Sequence, residues 1–329
     1  MKIVKYYNHG GPEVLVLEEV PVPMPGTGEV VIKVSYFSIN YSEIQQRKGI
    51  YPIPSSLPAT MGQWGVVTGE IVDIGDEVDS LLLGANVLTQ VPSGSYAEYV
   101  VVPSYLLIPL PAELDSVLAT ALPTQGQTAY HALKTVGKLS NSETVMIHAA
   151  SGGVGNIAIQ MAEAFGAKKI IATASSHEKL DVALSLGAHI AINYSSPNWS
   201  DEVLAQTGGK GVDLVLSSVG GTVLRESTKV LSTFGRLLYF GSSSSENHHW
   251  DDLNLVSILS NKTFIGFNIA HLLTNRPELV REGLESMFGL MIAGQLKPKV
   301  SQIFSLDEVG QAHALIESRK NIGTVVIKP

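Results

Sequence analysis

Two patterns of apolar residues divide the chain. Up to about residue 123, apolar residues come in short or alternating runs, and turns rich in proline and glycine separate the runs. Runs of this kind predict short β-strands, and many of them in succession favour a partly closed β-barrel. The runs are Val14–Glu18, Val30–Val34, Val66–Ile71, Ala85–Thr89 and Ala97–Val102.

Beyond this point the pattern changes to short apolar runs that alternate with residues at helical spacing. A first helix is predicted at Pro123–Leu133. Strands are predicted at Val145–Ile147, Lys169–Ala174, Ile190–Ile192, Val212–Leu216 and Arg236–Phe240, and helices at Gly153–Phe165, His177–Leu186, Trp199–Gln206 and Thr222–Leu231. Such alternation predicts a parallel sheet that helices cover on both faces.

The last part of the chain predicts a return to the first domain. A strand-like run at Phe264–Asn268 is followed by a long helix from Pro277 to Ala293, a helix from Asp307 and a strand at Thr324–Ile327. Because barrel strands need pairing partners, the domains are predicted as 1–122 with 270–329, and 123–269.

Composition excludes several classes of function. The 329 residues carry a formal net charge of −8 and no long basic run, which argues against nucleic acid as a partner. No apolar run is long enough for a membrane span, and the N-terminus lacks a signal core, so a cytoplasmic protein is expected. The absence of cysteine excludes disulfides, thiolate nucleophiles and cysteine-bound zinc.

The stretch after Val145–Ile147 carries the strongest chemical signal. Its residues Ala150, Gly152 and Gly155 have the spacing A-x-G-x-x-G, one residue away from the dinucleotide-binding fingerprint. Gly152 would let the backbone approach a pyrophosphate, and Gly155 would let the helix pack close to the strand. Ala150 can replace the first glycine if its φ is negative. A glycine-rich turn without a ligand is the alternative.

The end of the next strand indicates which nucleotide would bind. An NAD-binding protein places an acidic residue here to hold the ribose hydroxyls, whereas this chain has Ser175 and Ser176, with Lys179 one helical turn later. Two hydroxyls and an ammonium group suit a 2′-phosphate, so the sequence favours NADPH over NADH. The alternative is that Ser175 caps the helix that begins near His177.

One polar loop contains a possible metal cluster of His248, His249, Asp251 and Asp252. Adjacent histidines point in different directions, and we therefore expect no metal here.

The whole chain resembles the zinc-independent medium-chain dehydrogenases/reductases of the NADPH quinone oxidoreductase (zeta-crystallin-like) group. The motifs that carry the resemblance are residues 94–100 (GSYAEYV), 128–133 (TAYHAL), 148–155 (HAASGGVG), 173–176 (TASS), 186–188 (LGA), 192–194 (INY), 211–213 (GVD) and 317–319 (ESR). This resemblance implies a GroES-like β-barrel catalytic domain plus a Rossmann domain with a doubly wound parallel sheet. A homodimer is expected by analogy with the group.

The resemblance also implies the residues around NADPH. The 2′-phosphate side would comprise Ser175, Ser176, Lys179, Tyr194 and Arg319, and the remaining contacts would be Thr128, Ser151, Gly152, Gly153, Val154, Phe240, Gly241, Ser242, Phe267 and Asn268. The expected reaction is hydride transfer to a quinone or another α,β-unsaturated carbonyl. Such an acceptor develops oxyanion character, which a hydrogen-bond donor would stabilise. The candidate donors are Asn40, Tyr41, Gln63 and Tyr51.

Two departures from the group leave alternatives open. Zinc-dependent relatives carry Cys and Gly-His-Glu ligands, but this chain has Gly62-Gln63-Trp64-Gly65 and no cysteine. Gln45 stands where bacterial quinone reductases often have tyrosine. The Gln45 position leaves a catalytically silent NADPH-binding regulator as an alternative of another class. An enoyl-thioester reductase of a biosynthetic pathway is the narrower alternative among enzymes.

Overall fold

The computed structural model describes residues 1–52, 56–243 and 259–329. The polar loop with His248, His249, Asp251 and Asp252 lies outside the described residues. The chain forms two compact units, of which one comprises Met1–Thr124 and Pro298–Pro329 and the other Gln125–Lys297.

The first unit is mostly β-structure. Its strands are β1 (Lys2–Tyr6), β2 (Val16–Glu19), β3 (Glu29–Ile39), β4 (Ala59–Thr60), β5 (Gly65–Ile74), β6 (Asn86–Val91), β7 (Tyr99–Pro103), β8 (Ile108–Pro109), β15 (Val300–Ser305) and β16 (Thr324–Lys328). Its helices are α1 (Tyr41–Lys48), α2 (Ser116–Ala119) and α10 (Val309–Glu317). The strands form a three-stranded sheet β2-β1-β4 and a seven-stranded sheet β15-β16-β3-β5-β6-β8, in which β7 also pairs with β3.

Strand β3 organises the larger sheet because it pairs antiparallel with β5, β7 and β16. The pairing of Val326 with Ser38 brings the end of the chain back to this unit, as the sequence pattern predicts. Apolar side chains of both sheets and of α10 form one core, in which Val30, Ile32 and Phe37 are fully buried. Consecutive residues of β3, such as Val30, Val31 and Ile32, are buried, so both faces of this strand are covered over part of its length.

The second unit alternates strand and helix. Its strands are β9 (Thr144–Ile147), β10 (Lys169–Ala174), β11 (Ile190–Asn193), β12 (Val212–Ser217), β13 (Leu231–Tyr239) and β14 (Thr263–Gly266). Its helices are α3 (Gln127–Leu133), α4 (Gly153–Ala164), α5 (His177–Ser185), α6 (Trp199–Gln206), α7 (Gly221–Ser227), α8 (Ile269–Asn275) and α9 (Pro277–Ile292). The six strands are parallel in the order β11-β10-β9-β12-β13-β14, which confirms the predicted doubly wound sheet.

The strand sequences explain why this sheet is parallel and central. Residues 145–147 and 170–174 are buried without alternation, because helices cover both faces of the sheet. A packed cluster around Met146, Ile171 and Val215 fills the space between the sheet and α6, where Trp199 is 3% exposed.

Residues 270–297 belong to the second unit, whereas the sequence pattern grouped them with the first. Side-chain contacts between α3 and α9 explain the difference. The Gln127 side-chain amide donates to the carbonyl of Val280 (2.6 Å), and the Tyr130 hydroxyl donates to Glu282 (3.0 Å). The return to the first unit therefore begins at Pro298.

A buried ion pair joins α1 to α10 in the first unit. The Arg47 side chain is fully buried and pairs with Glu317, whose side chain is 21% exposed. Lys48 lies 3.3 Å from the other oxygen of Glu317, but its side chain is 26% exposed. Removal of one partner from a buried pair costs much more than loss of an exposed pair.

We therefore expect Glu317→Gln to lower the free energy of unfolding by about 3 kcal/mol, because Arg47 then keeps a buried charge without its counterion. Lys48→Ala is the matched control and should cost less than about 1 kcal/mol. Equilibrium urea unfolding measures both values. Equal losses in the two variants would contradict the assignment of the buried pair.

Candidate functional site

The carboxyl ends of the six parallel strands define one edge of the second unit. The chain leaves this edge after Ile147, Ala174, Asn193, Ser217, Tyr239 and Gly266. The strand order reverses between β9 and β12, and open parallel sheets bind ligands outside the carboxyl ends at such a reversal. We call the segments that follow these six residues the carboxyl edge.

The turn after β9 adopts the conformation that the glycine motif requires. Ala149 takes the left-handed conformation with φ 47°, whereas Ala150 does not have a positive φ. The Ala150 N–H donates to the carbonyl of Thr173 on β10 (3.0 Å), and the Gly152 N–H donates to that of Ala149 (2.9 Å). Alanine therefore replaces the first glycine of the motif because the strained position falls one residue earlier.

The two remaining glycines of the motif have different surroundings. A Cβ on Gly155 would lie 2.4 Å from the Ala149 carbonyl oxygen and 2.7 Å from the Ala150 Cα, so α4 packs directly on the turn. A Cβ on Gly152 would meet only the Ala149 oxygen, at 3.2 Å, within 4 Å. Gly152 is also the N-cap of α4, whose first N–H groups attract an anion. The turn therefore fits a pyrophosphate.

The segment after β10 carries hydroxyl groups. Ser175 is exposed, and the N-cap of α5 is Ser176, whose side chain makes no capping hydrogen bond. The alternative in which Ser175 caps this helix is therefore wrong. Lys179 lies in the first turn of α5 and is half-buried. No carboxylate stands among residues 174–177, and this fits a nucleotide that carries a 2′-phosphate.

Most of the other predicted cofactor residues also lie on the carboxyl edge. After β9 come Ser151, Gly153 and Val154; after β11, Tyr194; after β13, Phe240, Gly241 and Ser242; and after β14, Phe267 and Asn268. Thr128 lies apart from them, on α3, and is 6% exposed. The grouping comes from parallel topology, which collects segments distant in sequence.

His148 lies beneath the turn and supplies no charge to it. Its ring nitrogens lie 2.6 Å from the Thr173 hydroxyl and 2.8 Å from the Ser227 hydroxyl, and the ring packs edge-on against Trp199. Burial lowers the pKa of His148 to about 3, so the ring is neutral at physiological pH. This histidine fixes the end of β9.

The four candidate donors lie in the first unit. Three of them lie at the ends of helix α1, and the fourth lies between β4 and β5. Asn40 is buried and forms the N-cap of α1, and Tyr41 is its first residue. Tyr51 follows the other end of the helix, where its N–H donates to the Gln45 carbonyl (3.2 Å). Gln63 lies between β4 and β5 and is half-buried. Their catalytic role stays a prediction.

Tyr51 and one further predicted residue, Arg319, have distinctive features in this unit. Burial raises the pKa of Tyr51, which keeps its phenol protonated as a donor at neutral pH. Arg319 follows α10, is exposed and has φ 55°, and its N–H donates to the carbonyl of Ile316 (2.9 Å). Its assignment to the 2′-phosphate also stays a prediction.

Sequence reasoning missed a set of buried polar residues in the same unit. Glu43 is 1% exposed, and one of its carboxyl oxygens has no hydrogen-bond partner within the described residues. The same holds for the hydroxyl of Ser95, which is fully buried. Only the Asn40-x-x-Glu43 spacing gives a signal, and it reads as a helix capping box.

The described residues contain neither a metal-binding cluster nor a helix able to span a membrane. Within residues 1–52, 56–243 and 259–329, no group of three or more His, Cys, Asp or Glu side chains could hold a metal ion. In the same part of the chain, no helix has both the length and the apolar character to cross a bilayer.

Comparison with known families matches both halves of the chain. Residues 26–112 match the model of the alcohol dehydrogenase GroES-like domain. Residues 153–285 match the model of the zinc-binding dehydrogenase family. The first match spans strands β3 to β8, and the second begins within the glycine motif and ends in α9.

Individual relatives are similar over almost their full length. A 2-haloacrylate reductase of a Burkholderia species is 32% identical over 98% of this chain and 97% of its own. A quinone oxidoreductase of Pseudomonas aeruginosa is 33% identical over 100% and 99%. The structure of Escherichia coli quinone oxidoreductase in complex with NADPH has a TM-score of 0.91, 30% identity and full coverage of both chains.

The close packing of α4 on the turn gives a prediction with a matched control. Gly155→Ala should lower the free energy of unfolding by about 1–3 kcal/mol, because its Cβ would meet backbone atoms that cannot move aside. Gly289→Ala, in the exposed part of α9 with nothing within 4 Å, should raise it by about 0.5–1 kcal/mol. Thermal or urea unfolding compares the two. A gain in stability from Gly155→Ala would show that α4 does not pack tightly on the turn after β9.

Proposed function

Since the chain belongs to the medium-chain dehydrogenase/reductase family, we propose that it is an NADPH-dependent oxidoreductase that reduces a quinone or another α,β-unsaturated carbonyl without zinc. The observation that carries the proposal is the carboxyl edge, where an open turn at Gly152 and the acid-free segment Ser175-Ser176 follow neighbouring strands. The Burkholderia relative is named a 2-haloacrylate reductase and the Pseudomonas aeruginosa relative a quinone oxidoreductase, and these names support the choice of acceptor.

The residues of the carboxyl edge have separate tasks in nucleotide binding. The N–H groups at the start of α4 hold the pyrophosphate, while Ser175, Ser176 and Lys179 hold the 2′-phosphate. When bound, NADPH supplies the hydride. The chain then has to orient the cofactor, and Phe240 and Phe267 offer apolar surface where β13 and β14 end.

The acceptor needs hydrogen-bond donors more than it needs acid–base groups. As the carbonyl takes up negative charge, a fixed donor lowers the barrier because it requires no reorganisation. Asn40, Tyr41, Gln63 and Tyr51 are the proposed donors in the first unit. Tyr51 can donate at neutral pH as any tyrosine can, and burial raises its pKa further.

Zinc does not fit this chain. A catalytic zinc of the family type needs thiolate and imidazole ligands, and the chain has no cysteine. The segment Gly62-Gln63-Trp64-Gly65 offers neither histidine nor glutamate. Fixed donors would therefore replace a metal as the electrophile.

We expect the protein to oxidise NADPH at least tenfold faster than NADH, as kcat/KM, with 1,4-benzoquinone or a simple enone as acceptor. Absorbance of the reduced nicotinamide follows the reaction. Prior treatment with EDTA should leave the rate unchanged. Turnover of a crotonyl thioester alone would favour the enoyl-thioester reductase. NADPH binding without turnover of any acceptor would favour the silent regulator.

The 2′-phosphate assignment can be tested on binding alone. Lys179→Ala should weaken the binding of NADPH about tenfold and the binding of NADH less than twofold, because a charged hydrogen bond to the 2′-phosphate is lost. Lys168→Ala is the control, since Lys168 is exposed and precedes β10 at the amino edge of the sheet. Isothermal titration calorimetry measures both nucleotides. Equal weakening of NADPH and NADH would refute the assignment.

A further inference from the structure

Glu43 is a buried carboxyl group at the start of α1. Its Oε2 accepts a hydrogen bond from the main-chain N–H of Asn40 (2.7 Å) and from the hydroxyl of Tyr96 (3.2 Å). Its Oε1 has no partner within the described residues. Asn40 and the adjacent Tyr41 are two of the proposed donors, so Glu43 holds the backbone that carries them.

A chain of hydrogen bonds fixes the direction of each proton around Glu43. Arg47 has donors only, so the His313 Nδ1 at 3.3 Å from its Nη1 must accept. The proton of the neutral His313 ring therefore lies on Nε2, which donates to the Tyr96 oxygen (3.2 Å). The Tyr96 hydroxyl is then left to donate its own proton to Glu43 Oε2.

This direction decides where a proton on Glu43 must lie. Because Oε2 already accepts from two donors, a neutral Glu43 carries its proton on Oε1. The Ser95 hydroxyl also lacks a partner within the described residues. Glu43 Oε1 and Ser95 Oγ lie 2.7 Å and 1.9 Å from the point that a Gly65 Cβ would occupy. Both buried polar atoms therefore lie against the backbone of Gly65.

The segment 62–65 closes directly over this pair of atoms. A Cβ on Gly62 would lie 2.0 Å from the Ser95 hydroxyl, and the Ser95 N–H donates to the Gly62 carbonyl (3.2 Å). Gln63 and Trp64 lie between these two glycines, and Trp64 takes the left-handed conformation with φ 55°. Glu43 and Ser95 thus support both segments that carry donor residues.

We infer that Glu43 is a positioning residue for the acceptor, which in its uncharged form holds the main chain of Asn40 and the segment 62–65 in place. The inference rests on the proposed function, because Asn40, Tyr41 and Gln63 are the donors of that function. Ionised Glu43 would add a buried negative charge beside them. Such a charge opposes the oxyanion that develops on the acceptor.

The charge state of Glu43 changes in an accessible pH range. Burial raises its pKa to about 8, against the lowering effect of the Asn40 N–H and the Tyr96 hydroxyl. The titratable neighbours do not change charge in this range, since burial lowers the pKa of His313 to about 3 and raises that of Tyr96 well above 10. The nearby Arg47 side chain pairs with Glu317. Glu43 is therefore the group of this cluster that titrates between pH 7 and 9.

The first test is a pH profile of kcat/KM for 1,4-benzoquinone at saturating NADPH. In the wild type we expect a fall of about tenfold per pH unit above pH 8. Glu43→Gln, which stays neutral, should bring the ratio of the rates at pH 7 and pH 9 close to one. The exposed Glu70→Gln is the control and should keep the wild-type profile. An unchanged decline in Glu43→Gln would overturn the inference.

A second comparison separates the loss of acceptor positioning from a general disruption of the folded protein. Glu43→Ala should lower kcat/KM for the quinone about tenfold at pH 7, and Glu43→Gln should restore most of the loss. The NADPH dissociation constant should stay the same in both variants, because the nucleotide binds to the carboxyl edge. Equal rates for the alanine and glutamine variants would contradict the inference.

A third readout does not require activity. Trp64 is 53% exposed in the supported segment, so its fluorescence should change with a midpoint near pH 8 in the wild type. The change should be absent in Glu43→Gln and in Trp64→Phe. In Ser95→Ala the midpoint should rise, because ionised Glu43 loses a polar hydroxyl group from its buried surroundings. An unmoved midpoint in Ser95→Ala contradicts the inference, even where Glu43 variants do not fold.

The fluorescence titration distinguishes two failures. If no acceptor is reduced but Trp64 reports the Glu43-dependent transition, the proposed function fails while the support of segment 62–65 by Glu43 stands. If quinone is reduced but the transition is missing or persists in Glu43→Gln, the reductase stands and the positioning role of Glu43 is wrong.

Discussion

The close approach of helix α4 to the end of strand β9 is the constraint on which the second unit depends. Gly155 leaves no space for a Cβ above the Ala149 carbonyl, so the helix begins directly at the strand end. The turn must therefore reverse within a few residues, and the left-handed Ala149 makes that possible. Its position places the N-terminus of α4 at the point where the strand order reverses. Parallel pairing then collects the ends of the other five strands along the same edge.

The local pattern predicts the elements of this sheet well, because each buried parallel strand is a short apolar run. Lys169–Ala174 and Trp199–Gln206 agree with the prediction to the residue. The predicted strand Arg236–Phe240 overlaps β13, but β13 already begins at Leu231, where helix was expected. Leu231 pairs with Val212 across a register shift, and such long-range pairing leaves no local signal. The placement of residues 270–297 failed for a similar reason, since Gln127 and Val280 are far apart in sequence.

The residues of the candidate site also divide into those with a local sequence signal and those that depend on long-range contacts. The position of Ser175 and Ser176 at the carboxyl end of β10 could be predicted, because the residues after a parallel strand lie at that edge whatever the tertiary details, while their contact with a 2′-phosphate stays a prediction. Glu43 could not, because a glutamate at the third position of a helix is an ordinary capping residue. Its special character arises from burial and from Tyr96 and Ser95, which come from a segment about fifty residues later. Hydrogen-bond direction through His313 is visible only once α10 is in place.

The absence of cysteine gives this buried network its significance. A zinc ion polarises a carbonyl through its charge, and modest errors in ligand position leave that charge in place. Neutral donors act only over hydrogen-bond distances, and a displacement of about 1 Å can reduce the rate severely. The proposed reductase without zinc would therefore need rigid support for its proposed donors, and a fully buried carboxyl group meets that need when it is uncharged. In that proposal the support comes from the hydrogen-bonded network of Glu43, Tyr96 and His313. The tight glycines at 62 and 65 hold the segment above it close to the buried oxygens of Glu43 and Ser95.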